Sequence, residues 1–408
     1  MKPLTIFAPL NAAFQNFGNI KEEDKDSLVL YHMTSVPKTI EQLGSSYTSL
    51  NSELAGNPPL WITHVTGKYH DDIYVNNARI LVSQSNIQSS GKGLQQILHK
   101  IDEVLIPTRA GTRVFNPNAW EFLENYEKLL QNHVPGQNPY RVRNFRQRVE
   151  LNKKQDNFNA EGGQTFFIPV DEGFGNERAS LIDDKIIDGH VIPKQVLFTT
   201  PTKKDTPFQT LANGDNNIRV VISFTQEQRG SRIVNYVKSH TLFGDGKHTP
   251  GVVLAEIVKA NIPVKNGVVH LIQKPLMVVD STVKQLLEEH KDYICNVGNV
   301  QSYQNFPVIV EYELQTEQPI EQNGRILSSF FNAIKDMGPE GEALLRQIER
   351  AQDVTLFAPC NDAFDGDLTL KAMMRDKTRF LDILKMHINL EERLYMDKIL
   401  KNQLANKV

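Results

Sequence analysis

The chain is poor in cysteine, with two in 408 residues, Cys295 and Cys360. That count excludes a disulfide-dense scaffold, a zinc ribbon and an iron–sulfur site. A single disulfide and two free thiols both stay open, because spacing along the chain does not fix distance in space. A surplus of one charge is lacking too. Lys and Arg total 45 against 48 Asp and Glu, a formal net charge of −3, so nothing drives the chain toward nucleic acid or an acidic membrane. No apolar run approaches the roughly 18 residues of a membrane-spanning helix. The 24 Gly and 20 Pro are too few for a collagen-like or disordered polymer. Lys2-Pro3-Leu4-Thr5-Ile6-Phe7 shows neither the apolar core nor the cleavage site of a secretory leader. The polar end, Lys401 to Val408, does not resemble a lipid-anchor signal.

Catalytic signatures are equally scarce. The sequence contains no His-Glu-x-x-His and no Gly-x-Ser-x-Gly. Gly244-Asp245-Gly246-Lys247-His248-Thr249 has the wrong spacing for a phosphate loop and reads as a solvated Gly-rich loop. His64, His70, Asp71 and Asp72 carry metal-ligating atoms, but alternating apolar residues on both sides make them the polar end of a hairpin. No metal and no cofactor is expected, and no enzyme. Arg229-Gly230-Ser231 is the nearest approach to an Arg-Gly-Asp triplet, and no Asn lies in a glycosylation sequon.

What is present is repetition. TIFAPLNAAF at 5–14 recurs as TFFIPVDEGF at 165–174 and TLFAPCNDAF at 355–364. The copies lie at domain-sized spacing, far wider than the roughly 20–50 residues of a solenoid repeat. The first half of each phrase has strand-compatible alternation and is rich in Phe. Pro9, Pro169 and Pro359 lack an amide hydrogen and end a sheet ladder. Asn11, Asp171 and Asn361 are suited to cap the helix that follows. Each copy is then followed by a histidine: His32, His190 and His387. A further signal marks the first two copies, where His99 and His270 each stand two residues before an Ile. Asn266-Gly267 predicts a tight turn between two strands. Helical faces precede the later copies, Trp120, Phe122, Leu123, Tyr126, Leu129 and Leu130 before the second and Ile326, Leu327, Phe330, Phe331 and Ile334 before the third.

Together the phrase, the Tyr31-His32 pair and the Asn266-to-Ile272 box resemble the fasciclin domain, a cell-adhesion module. The resemblance implies α+β architecture: tandem fasciclin domains, each a wedge-shaped two-sheet β core with a helical cluster on one side. The expected divisions are a partial domain over 1–108 lacking its leading helices and a complete domain over 118–280. A connector or insertion over 281–324 follows, then a partial domain over 325–408 lacking its second box. Val283, Leu286 and Leu287 suggest a short helix in the connector, and Pro307 to Tyr312 a strand. The chain thus reads as an internal piece of a longer secreted protein or a partial gene model.

The resemblance implies non-enzymatic adhesion, homophilic or toward other cell-surface and matrix proteins, outside the cell. The family includes neural adhesion proteins held by glycolipid anchors. Its proposed adhesive motif transfers only to Tyr31 and His32, because Gly189 and Met386 replace Tyr in the later copies. A buried histidine bonding a loop and a surface contact both fit the pattern. Arg141, Arg143, Arg146, Arg148, Lys153 and Lys154 form the densest basic stretch, which fits either a solvated face or a site for anionic polysaccharide. One outcome follows from the missing leading helices: isolated residues 1–108 will bind an exposed-hydrophobe dye strongly. Weak dye binding would count against the domain division.

Overall fold

The computed structural model describes residues 2–15, 22–46, 48–67, 70–89, 95–110, 113–114, 116–130, 140–174, 178–213, 218–229, 232–243, 248, 251–278, 284, 287, 328–351, 354–359, 361 and 373–390. Cys295, Cys360, the helix and strand expected in the connector (Lys284 and Leu287 apart), and the Gly244–Thr249 loop except His248 lie outside them. The chain forms two compact units, Met1–Phe224 with Leu254–Val278, and Thr225–Val253 with Val279–Val408.

Each phrase starts as a strand: Leu4–Pro9, Gln164–Pro169 and Thr355–Leu356. Pro9 and Pro169 are the last residues of theirs, as expected of a residue with no amide to donate. In all three copies the strand pairs antiparallel with the two residues after the histidine, in one register. Thr5 faces Thr34, Thr165 faces Ile192 and Thr355 faces Asn389. In the first two copies the other edge pairs parallel with the second-box strand, so Phe7 lies beside His99 and Phe167 beside His270. The second-box strands are Gln96–Ile101 and Gly267–Ile272.

The turn expected at Asn266-Gly267 falls one residue earlier: Lys265-Asn266 joins the antiparallel strands Gly251–Val264 and Gly267–Ile272, and Gly267 opens the second. Gly267 stands at φ +147°, and a β-carbon there would lie 1.8 Å from the Gln164 carbonyl oxygen, so only glycine fits. Asn266 ties this turn to the helices above it. Its side-chain oxygen accepts the Ala119 amide at 2.9 Å, and its nitrogen donates to the Phe158 and Ala160 carbonyls.

The helix Ala119–Leu130 opens with a reciprocal cap: Asn118 Oδ1 accepts the Glu121 amide, and the Glu121 carboxylate accepts that of Asn118. Trp120, Phe122, Leu123 and Tyr126 are buried as their spacing predicts. They pack in one core with Phe145 and Val149 of the helix Arg143–Leu151, Phe158 of Gln155–Asn159, Ile186 and Ile187 of the helix Asp184–Asp188, and Phe166 and Ile168 of the strand Gln164–Pro169. In the second unit, Phe330, Phe331 and Ile334 of Ser328–Asp336 build the corresponding core with Leu344, Leu345 and Ile348 of Pro339–Arg350. Ile326 and Leu327 lie outside the described residues.

The local caps expected of Asn11 and Asp171 need correction, whereas the segment after Asn361 lies outside the described residues. Asp171 Oδ1 accepts the Asn144 amide at 3.0 Å, and Asn361 Oδ1 accepts that of Ser329 at 2.8 Å. Each acidic or amide side chain thus satisfies an unpaired amide in the first turn of the helix preceding its phrase. Asn11 is itself the first residue of the short helix Asn11–Gln15.

Among the described residues the first copy has the same central strands without a counterpart of the helix Ala119–Leu130. Ile6, Ala8 and Leu10 are half-buried where Phe166, Ile168 and Val170 are buried. Val29, three residues before its histidine, is 51% exposed, whereas Ile187 in the same place is 0% exposed. Its core instead gathers Phe7, Tyr31, Leu43, Leu60, Ile73 and Val75 between the sheet and a second four-stranded sheet, Ser49–Asn51, Pro59–Val65, Asp72–Val75 and Ala78–Arg79. Ile187→Ala therefore destabilises by about 2–5 kcal/mol, the usual cost of emptying a packed site. Val29→Ala stays within roughly 0.5 kcal/mol. Urea unfolding of the two variants checks this, and equal losses would contradict the burial difference.

Candidate functional site

The three sequence signals converge on one cluster of hydrogen bonds. His32 ends the helix Glu22–Tyr31. Its Nδ1 donates to the Leu28 carbonyl at 2.7 Å and its Nε2 accepts the Leu105 amide at 2.9 Å. His190 repeats this, donating to Ile186 at 2.6 Å and accepting from Leu276 at 3.0 Å. His387 Nδ1 donates to Ile383 at 2.9 Å. The histidine carbonyl accepts the amide of the phrase Phe in every copy: Phe7, Phe167 and Phe357.

The phrase Thr and the second-box His complete the arrangement. Thr5 Oγ1 donates to Val36 and accepts the Lys38 amide, at 2.7 and 2.8 Å. Thr165 does the same to Gln195 and Leu197, at 2.8 and 2.9 Å. The carbonyls of Lys38 and Leu197 then accept Nε2–H of His99 and His270, at 2.7 and 2.8 Å. The opposite ring nitrogens accept the amides of Asn86 and Asn261. Both asparagines are in the left-handed region, at φ +56° and +62°. Their side-chain oxygens accept the Ile40 and Thr199 amides at 2.9 Å. The Asn-Ile dipeptide that Asn86-Ile87 and Asn261-Ile262 share is the signal that could have revealed these two residues.

Burial presses all four rings toward neutrality. Desolvation pushes His190 and His270 down to about 4 and lowers His32 and His99, outweighing the backbone hydrogen bonds that oppose it. A ring that donates through one nitrogen and accepts through the other has no lone pair left for a metal or a transferred proton. Both nitrogens of these four rings are spent on holding backbone.

Of the two readings open for Tyr31-His32, the arrangement seen is the buried histidine that bonds a loop. Tyr31 is 0% exposed and His32 6%. The Tyr31 hydroxyl donates to the Pro59 carbonyl at 3.1 Å and accepts Asn76 Nδ2–H at 3.0 Å, and burial raises its pKa. A residue enclosed this way has no atom to offer a partner. The departure in the second copy has a packing cause: a β-carbon on Gly189 would lie 2.0 Å from Met277 Sδ, so the methionine fills the place of the tyrosine ring.

Asn76 carries Tyr31 to the surface that meets the second copy. Its Oδ1 accepts the Trp61 amide at 2.9 Å, and its own amide donates to the Trp61 carbonyl. The Trp61 ring packs with Val196, Phe198 and Val268, and its Nε1 donates to the Val264 carbonyl at 3.4 Å. Beside it Asn77 Oδ1 accepts the Thr200 amide at 2.8 Å and the Thr199 hydroxyl at 3.3 Å. Thr108 Oγ1 donates to the Pro263 carbonyl. Trp61 and Asn77 escaped sequence reasoning because neither lies in a repeated phrase.

The basic stretch does not form one surface. Helical spacing turns its members in different directions. Arg148 donates to the Ile182 and Ser180 carbonyls. Lys154 Nζ binds both oxygens of the buried Asp188 carboxylate at 2.8 and 2.9 Å. Arg146 is half-buried near Glu150. Arg141, Arg143 and Lys153 are exposed. His64 bonds Asp71 across the expected hairpin, and no metal-ligating cluster occurs among the described residues.

A clamp repeated in successive α+β units defines a modular protein built of like domains. The fasciclin-domain model matches residues 1–107, 141–278 and 327–407. The chain belongs to the fasciclin-domain family. It is similar to Fasciclin-1 of Schistocerca americana, at 44% identity over 98% of this chain and 53% of that protein. Fasciclin-1 of Drosophila melanogaster is 40% identical over 98% and 54%. The chain therefore spans about half the length of these relatives. A solved domain pair from the insect cell adhesion molecule fasciclin I aligns with 67% of this chain and 88% of its own, at 15% identity and a TM-score of 0.28.

The neutral histidines set a pH dependence. Unfolding restores them toward the ordinary value of 6.5, so the unfolded chain binds more protons as pH falls. Their contribution is complete above 6.5 and is lost progressively as pH drops toward 4. Urea midpoints across that window will fall, and replacing His190 and His270 with Gln will flatten the slope. An unchanged slope in the double variant would contradict the assignment.

Proposed function

We propose that this chain is part of a non-enzymatic cell-adhesion protein that displays fasciclin-domain surfaces outside the cell. The partners are other cell-surface or matrix proteins, with a second copy of the same protein foremost, in a neural or other extracellular setting. The observation that carries this reading is the match of three successive regions to one adhesion-type domain, joined to histidines whose ring nitrogens are engaged by backbone. Near-neutral net charge suits self-association, since like molecules do not strongly repel. Contacts of this kind are individually weak, and several domains on one chain strengthen them together. Among the described residues no helix is long and apolar enough to cross a membrane. Attachment to the cell by a glycolipid anchor is part of the proposal by resemblance to the family.

Tyr31 and His32 support adhesion in this reading by shaping the domain, not by touching the partner. A polysaccharide-binding role would draw on Arg141, Arg143 and Lys153, because Arg148 and Lys154 are engaged internally. Beads coated with the whole chain test the two against each other. Homophilic adhesion predicts bead clustering and elution from heparin below physiological salt. Heparin retention above physiological salt without clustering would overturn it.

A further inference from the structure

We propose that the Tyr-His pair of the first copy serves a joint: Tyr31, acting through Asn76, positions Trp61 so that the first two copies open and unfold as one cooperative body. Four observations lead there. The first copy leaves part of its sheet half-covered, so its own core holds it less firmly than the second copy is held. Its tryptophan is 7% exposed, and Val196, Phe198 and Val268 of the second copy share its cluster. The hydrogen bonds around it cross between copies at the Trp61 indole, Asn77 and Thr108. Finally, Asn76 Nδ2 donates to the Tyr31 hydroxyl at 3.0 Å, and that same asparagine holds the Trp61 backbone through its oxygen.

The joint also lands on the second copy's clamp. Val196 lies between Gln195, whose carbonyl accepts from Thr165, and Leu197, whose amide donates to Thr165 and whose carbonyl accepts from His270. Val268 is the second-box residue paired with Thr165. Gly163 leaves room for this seat: a β-carbon there would lie 2.5 Å from Val196 Cγ2 and 3.2 Å from Trp61 Cζ3. A contiguous chain of bonded and packed groups thus runs from Tyr31 to His270. Tyr31 is a positioning residue here, and Gly189 in the second copy marks a place where no such joint is built from the motif.

Hydrogen exchange of the whole chain against denaturant tests the proposal. The strands Leu4–Pro9 and Gln96–Ile101 will lose protection together with Gln164–Pro169 and Gly267–Ile272. In Trp61→Ala the first pair will exchange roughly tenfold faster at a denaturant concentration that leaves the second pair protected. Tyr31→Phe keeps the ring and strands the Asn76 donor, so it will produce the same separation in milder form. Trp120→Phe leaves Trp61 as the single tryptophan of two. In that background Tyr31→Phe will shift the emission to the red as the indole gains water. Leu43→Ala, a loss of first-copy core away from the joint, will speed exchange there without an emission shift. Separate loss of protection in the unaltered chain would overturn the proposal. So would joint loss that survives Trp61→Ala, or Tyr31→Phe that behaves like Leu43→Ala.

Discussion

Everything else in the fold hangs on a threonine hydroxyl and two histidine rings bonded to the backbone. In the first two copies the Thr holds a loop on both sides of one residue, and the second-box His takes that loop's carbonyl. The other His bonds the last turn of its helix to the segment after the second box. Two strands, a helix end and two loops are thereby fixed around the central pair. Each buried donor or acceptor left without its partner costs about 1–3 kcal/mol, so the cluster tolerates little change in residue type. Burial then makes the arrangement self-consistent, because a charged ring could not accept the amide that each neutral ring accepts.

The parts of this design that were legible in the sequence are those with a period or a fixed local geometry. The repeated phrase gave three strands in one register, Asn266-Gly267 marked a turn to within one residue, and the Trp120-to-Tyr126 spacing gave its helix. Long-range pairing was not legible. Asp171 and Asn361 have the chemistry of caps, but which helix they serve depends on where the chain returns in space. Arg148 and Lys154 look like surface charge until the fold brings carbonyls and a carboxylate to them. Tyr31-His32 was visible as a motif, but its burial was not, because burial is decided by residues 28 to 73 positions away in the chain. The fasciclin resemblance identified the family and left the joint unmarked.

Duplication with divergence explains why the copies share a clamp but differ around it. The second copy covers its sheet with helices and fills the tyrosine position with Met277. The first keeps Tyr31 and directs Trp61 at its neighbour. The interior shared by the copies supplies stability, a division that suits the adhesion role proposed above.

The central claim concerns the protonation state of four buried rings, and nitrogen NMR of selectively labelled histidine reads it directly. At pH 6 the account predicts neutral rings for His190 and His270, and, among neutral rings, the proton on Nδ1 in His32 and His190 and on Nε2 in His99 and His270. A charged His190 or His270 at that pH, or the opposite tautomers, would contradict it.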